Sequence, residues 1–177
     1  MVYETYGEKR RFERRNKKMK IVGYVLCIFV LLIIFGSSAQ SKDTTVAVGQ
    51  SATVDNWQIS ISDYTPDATN AIAQENMLNP KPSSGGQWAM VYVNAKNMGK
   101  DKNNFNCGNL HLVGASGQVY NVPLFCICPN NFPPGEAFPG ASLSGNIAFD
   151  VSTQDISSVK LYYKGGWGKG KNYFDLP

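Results

Sequence analysis

Apolar positions along this chain follow two patterns. From Ile21 to Phe35 they are nearly continuous, with twelve of fifteen positions taken by Ile, Leu, Val or Phe and no charge among them. From Gln40 to Pro177 they come in short runs, many alternating with polar residues, and Gly, Pro and Asn separate the runs. Period-two alternation marks a strand with one buried face, and no helical period is sustained in the second region, so it reads as all-β. Strands are expected over Thr44 to Val48, Trp57 to Ser62, Gln87 to Ala95, Leu110 to Leu112, Gln118 to Val122, Leu143 to Val151, Val159 to Tyr163 and Asn172 to Leu176. Gly49-Gln50 reads as a turn, and Gly114 to Gly117 closes a hairpin. Gln87 to Ala95 carries apolar residues on both faces, which makes it a central strand covered on both sides. Seven or eight strands in about 134 residues predict a β-sandwich, preceded by one N-terminal hydrophobic helix.

Thr65 to Gly86 breaks the β pattern. Ala and Gln favour helix there, so a short helix is expected over Ala68 to Leu78 with Asp67 as its cap, ended by Pro80, Pro82 and Gly85-Gly86. A loop of this length inside a compact domain is a place to look for binding.

Charge sharpens the picture of the N-terminus. The 177 residues carry a formal net charge of +4, yet residues 1–20 hold eight of the basic residues, all four arginines among them, and three Glu. The tail is therefore strongly cationic, the remainder slightly acidic, and the β region has no basic face for nucleic acid. At about −0.4 kcal/mol per apolar residue, insertion of residues 21–35 into a bilayer gains on the order of −5 kcal/mol. Extended to Ala39 the segment is barely bilayer length, with Lys20 snorkelling to the interface. The positive-inside rule keeps residues 1–20 in the cytoplasm and sends residues from 40 onward across the membrane. The division is thus a basic cytoplasmic tail over 1–20, a transmembrane or signal helix over 21–39, and an extracytoplasmic domain over 40–177. The long cationic tail and the unbroken apolar end favour an uncleaved single-pass anchor. The alternative is a signal peptide cleaved after Ala39, in the small-residue context of Ser37-Ser38-Ala39, which releases the same domain as a secreted form. Cys27 follows Leu26, where lipidation wants a small residue, and reads as a membrane-buried hydrophobe.

Candidate chemistry is sparse. His111 is the only histidine and alternation points it outward, between Leu110 and Leu112. No nucleophile motif is present, and the carboxylates of the β region are scattered, so a catalytic site is not expected. Asp101, Asn103 and Asn106 resemble a cation loop, but Phe105 falls where an oxygen ligand is needed. No metal and no cofactor is called for.

Cys107, Cys126 and Cys128 lie in the region expected to reach an oxidising compartment. If Leu112 pairs with Val119 or Tyr120, Cys107 comes within two residues of Cys126. A Cys107 to Cys126 disulfide is therefore the expected bridge, with Cys107 to Cys128 as the alternative. A redox or metal role for Cys126 and Cys128 is the competing reading. The glycine-rich Gly165 to Gly170 segment is expected to be a hairpin tip. Its Trp167 packs on the sandwich edge or stands out as an aromatic contact, and Phe132 and Phe138 of the Cys126 to Phe138 insert are further candidates for contact.

The residues Pro139-Gly140, then Gly145 followed by Asn146-Ile147-Ala148-Phe149, resemble the signature of the bacterial domain of unknown function 4352. Other segments are similar to the same family: Val48-Gly49-Gln50 with Trp57 to Ser62, Gln87 to Asn97 with Gly99 in an Asn-x-Gly turn, Leu110 to Tyr120, and Val159 to Tyr163. The resemblance covers about residues 44–177 and departs in the Cys126 to Phe138 insert, which is longer and richer in Pro and Cys. It implies an immunoglobulin-like sandwich of secreted or membrane-anchored type, without catalytic residues to carry over. Gly145 is expected to permit a bulge or a close backbone approach, with Ile147 and Phe149 facing inward. The expected function is a non-catalytic, membrane-anchored binding module, its partner an envelope protein or a glycan.

Overall fold

A computed structural model describes residues 43–166 and 170–177; the basic tail, the hydrophobic segment with Cys27, and Trp167 lie outside them. Strands β1 (Thr44–Val46), β2 (Ser51–Val54), β3 (Trp57–Thr65), β4 (Gly86–Asn97), β5 (Asn103–Asn104), β6 (Leu110–Val113), β7 (Val119–Asn121), β8 (Glu136–Ala137), β9 (Ser142–Ser152), β10 (Lys160–Lys164) and β11 (Lys171–Phe174) are accompanied by a short α-helix, α1 (Thr69–Glu75), and a single 3-10 turn over Cys107–Asn109. They form a five-stranded sheet in the order β1-β11-β10-β6-β7 and a four-stranded sheet in the order β2-β3-β4-β9, with β5 and β8 paired separately. The all-β sandwich expected from alternation is the architecture found. The expected strands lacked β2 and the β5–β8 pair, whose runs of two to four residues are too short for periodicity to register.

Alternation decides which side chains meet between the sheets. Ile59 on β3, Val91, Val93 and Ala95 on β4, and Ile147 and Phe149 on β9 face Leu110 and Leu112 on β6, Leu161 and Tyr163 on β10, and Phe174 on β11 in one buried cluster. Leu112 pairs with Tyr120, one of the two registers anticipated for the hairpin. At one end of this core four aromatic rings close together. Phe105 meets Trp57 edge-on at 5.2 Å, and Phe132 and Tyr163 at 5.2 and 5.7 Å. Aromatic pairs in such geometry add about 0.5–1.5 kcal/mol each beyond their buried area. Phe105 thus serves the core, which is why it stands where a cation loop would need oxygen.

Two buried polar residues tie the ends of the sandwich. Asn97, at the end of β4, is fully buried. Its Nδ2 donates to the carbonyls of Asp101 and Ala137, its Oδ1 accepts from the Gly99 backbone N–H, and its backbone bonds to Gly140 and Ala141. One side chain thereby joins the turn after β4 to the chain entering β9, with every polar atom satisfied. Away from Asn97, Asp155 accepts hydrogen bonds from Tyr120 Oη at 2.8 Å and from the hydroxyl and backbone N–H of Ser116. Its carboxylate sits over Gly114, where a Cβ would come within 2.1 Å of Oδ2, so the hairpin turn needs glycine there for room. Hydrogen bonds from Ser116 and Tyr120 hold the Asp155 carboxyl below the usual range.

Helix α1 is shorter than expected and capped differently. Its N-cap is Ala68, which makes no side-chain cap bond, while Asp67 Oδ1 accepts from Thr69 N. It ends at Asn76 in extended conformation, whose Oδ1 accepts from Leu78 N. That local turn competes with helix continuation and stops it before Leu78.

Two outcomes follow. Asn97→Ala leaves the buried carbonyl of Ala137 and the part-buried carbonyl of Asp101 without their donor and should lower stability by about 1–3 kcal/mol in urea unfolding. Because the Asp155 pKa is depressed in the folded state, its contribution is complete above roughly pH 4 and is lost as pH falls toward the folded pKa. Melting temperature measured against pH should therefore decline below pH 4, and the Asp155→Asn variant should lack that component of the decline.

Candidate binding site

β4 is the centre of the four-stranded sheet, between β3 and β9, and its alternate residues Trp88 and Met90 point away from the sandwich core. Left bare they would expose a large apolar area, and two loops cover them. The first, residues 66–85, lays α1 across β4 and buries Ala68 and Ile72 against Trp88. It also finishes the sheet edge beyond β3, since Thr69 Oγ1 accepts from the Trp88 backbone N–H and Ala68 N donates to Trp88 O. The second loop, residues 122–132, leaves β7 and passes beside β9, seating Cys128 on Met90 and Ala148. There Phe132 N donates to Asn146 O, and Asn146 N donates to Asn130 O. This approach is close enough that a Cβ on Gly145 would lie 2.6 Å from Phe132 Cα, so the expected role of Gly145 in close backbone approach is the one found.

Asn79 locks the two loops together. Its Nδ2 donates to Ile72 O and Ile127 O, both at 2.7 Å, and its Oδ1 accepts from Ile127 N at 2.9 Å. On the two loops it joins, the large apolar side chains of Met77 and Leu78 on one, and Leu124, Phe125 and Ile127 on the other, stand exposed; Met77 is 90% and Leu78 75% accessible. Beside them a cavity of about 410 Å³ opens between α1 and residues 79–83, with Ile72, Ala73, Pro80 and Pro82 on its walls and Trp88 among its lining residues. That volume lies in the range of small-ligand sites, roughly 300–1,000 Å³. A more open depression of about 530 Å³ lies between residues 104–108 and 131–135, but its aromatic residues, Phe105 and Phe132, are committed to the core.

The three described cysteines are free thiols, so neither the Cys107 to Cys126 bridge nor its Cys128 alternative is formed. The hairpin does bring Cys107 and Cys126 to one cavity of about 140 Å³. They nonetheless belong to different layers, because Cys107 packs against the core between the sheets and Cys126 against the cluster outside β4. Burial pushes Cys107 and Cys126 up to about 11 and Cys128 up to about 12. Cys128 Sγ donates to Asn131 Oδ1 and Asn146 O, as a buried structural thiol does.

Among the other residues singled out from sequence, Phe132 is only 6% exposed and packs at a tilt on Phe105, which removes it from any contact surface. Phe138 is 69% exposed in the turn beside Asn97, a place apart from the Asn79 bridge. Trp167 lies outside the described residues. His111 sits on the outer face of the five-stranded sheet, its Nδ1 2.8 Å from Asn121 Oδ1 and its ring stacked on Tyr162. Trp88, Asn79, Leu78 and Ile127 were not singled out from sequence, although the two-sided apolar pattern of β4 signalled that something must cover its outer face.

Comparison with known proteins finds a match to the family described as Domain of unknown function (DUF4352) over residues 46–172. Among solved structures, MPT63, a secreted protein from Mycobacterium tuberculosis, superposes with a TM-score of 0.59 at 14% identity over 76% of this chain and 98% of its own. The YjhA protein from Bacillus subtilis gives 0.51 at 10% identity, over 74% of this chain and 99% of its own. YcdA, a candidate lipoprotein from Bacillus subtilis, gives 0.50 at 19% identity, over 71% of this chain but only 37% of its own. At these identities the likeness is one of fold. No curated protein matches the chain.

With thiols at about 11 and 12, only on the order of a thousandth of Cys126 and less of Cys128 is thiolate at pH 8. Alkylation by iodoacetamide at that pH should be far slower than for free cysteine and should accelerate steadily to pH 10. Asn79→Ala removes two hydrogen bonds between the loops and one within the first, and limited proteolysis should then cut residues 76–84 and 124–130 at least several-fold faster, with the sheets intact.

Proposed function

Because the chain belongs to the DUF4352 family, we propose that it is a non-catalytic, extracytoplasmic binding module of immunoglobulin-like build, held at the cell membrane by residues 21–39. Its contact face is the loop pair bridged by Asn79. One observation carries this reading: five large apolar side chains are exposed on two loops that hydrogen bonds hold in one arrangement. A rigid apolar patch beside a cavity is what a docking surface requires, since little ordering entropy is lost on binding. The extracytoplasmic placement is supported by the hydrophobic segment, and by fold likeness to a secreted protein and a candidate lipoprotein. The absence of catalysis is argued from raised thiol pKa values and from an outward-facing His111 beside Asn121. The partner is an envelope protein or a glycan-bearing surface, and the exposed leucine, isoleucine and methionine side chains favour a protein.

A photo-crosslinking residue placed at Leu78 or Ile127 in intact cells should yield adducts of one discrete mass. The same residue at Thr53, exposed on β2, should yield none. Equal labelling from all three positions, or none from any, defeats the reading. Mass spectrometry of the native chain decides the anchor: a mature N-terminus at Gln40 would mean release rather than retention.

A further inference from the structure

The cavity beside Trp88 is unusual in how its polar atoms are spent. Trp88 Nε1 donates to Pro80 O, and Thr69 Oγ1 accepts from the Trp88 backbone. The Asn79 amide is consumed by Ile72 and Ile127, and Ser83 Oγ donates to Asp150. What the walls offer a ligand is therefore aliphatic and aromatic surface, from Ile72, Ala73, Pro80, Pro82 and Trp88. One charged group remains at the lining, Lys81, which is exposed. The ion pairs among the described residues are Lys102 with Glu136 and Lys160 with Asp175, so Lys81 has no carboxylate partner, and the nearby Asp150 is engaged by Ser83 N and Oγ.

We infer that this cavity takes the aliphatic chain of a single-chain amphiphile whose anionic head, a carboxylate or a phosphate, sits on Lys81. The inference rests on the binding-face reading and assigns a ligand to the cavity beside that face. The apolar walls contribute affinity that grows with chain length, while the lone ammonium selects the sign of the head group. A mostly apolar lining in which the Trp88 indole, the Asn79 amide and the Ser83 hydroxyl are already bonded offers neutral polar ligands little to bond, and it disfavours sugars and nucleotides as occupants of the cavity.

The test uses the full chain in nanodiscs, titrated with octanoate, and empty nanodiscs measure partition into lipid. One saturable site per chain is expected. Affinity should rise roughly three- to fourfold per methylene from hexanoate to decanoate. Ala73→Phe, at an exposed helix position on the cavity wall, should abolish the site, and Lys81→Met should weaken octanoate roughly two- to fivefold. Octanol should be indifferent to Lys81→Met, and octylammonium should bind several-fold more weakly than octanoate. Native mass spectrometry of chain ejected from nanodiscs doped with lysophosphatidylglycerol, a single-chain anionic lipid, distinguishes the source. A retained lipid that Ala73→Phe loses points to the bilayer, and binding of octanoate alone points to a free acid. Non-saturable partition, or octanoate binding that ignores Ala73→Phe, overturns the inference. So does equal response of octanoate and octanol to Lys81→Met. If crosslinking from Leu78 still finds its partner in those cases, the face binds polypeptide and only the amphiphile assignment fails.

Discussion

A strand that is apolar on both faces must be covered on both sides, and β4 is such a strand. Its inward residues, Ala89, Val91, Val93 and Ala95, are completely buried, and they account for the second sheet packed over them. Its outward residues, Trp88 and Met90, are nearly as buried, but among the described residues their cluster takes no side chain from another sheet. Helix α1 and the segment after β7 supply that cover, and each brings exposed apolar side chains to the rim of the contact. Burying a side chain the size of Trp or Met contributes about 1.5–3 kcal/mol, enough to hold short irregular segments that would not stay ordered alone. The candidate binding face is thus a consequence of how the sheet closes its second side.

The residues that carry the family resemblance explain themselves in the same structural terms. Asn97 and Gly99 belong to one turn and Pro139-Gly140 to another, and the Asn97 side chain and backbone join the two. Gly145 lets the segment through Asn130 and Phe132 press against β9, which protects an edge strand that would otherwise present unpaired backbone groups. Ile147 and Phe149 fill the core from the same strand, while Ala148 between them serves the outer cluster. These positions specify how the chain closes on itself, and none of them touches the cavity beside Trp88 in a way that would fix a ligand.

The cysteines show how proximity along a hairpin differs from proximity in packing. The Leu112–Tyr120 register brings Cys107 and Cys126 to a common cavity, as strand arithmetic suggested. Pro123 and the exposed Leu124 and Phe125 then carry the chain toward the outside of β4, so that Cys126 and Cys128 join the outer cluster and Cys107 stays with the inner one. Burial raises all three thiols well above neutrality, which makes them packing groups first.

What the sequence determined by itself was everything carried by local periodicity. The sandwich, the central two-faced strand, the hairpin at Gly114 to Gly117 and the close approach at Gly145 were all legible, because alternation and glycine placement act over a few residues. β2 escaped because four residues hold too little pattern, and α1 ended early because Asn76 made a turn that composition did not reveal. The binding face was decided only by tertiary structure. Asn79 and Ile127 are separated by 48 positions, Phe132 looked as available as Leu124 in sequence, and only the path of the insert buried one and exposed the other. Contacts of that kind depend on which loop lies over which strand, a choice made by the summed burial of the whole domain, with no local signal in the chain to announce it.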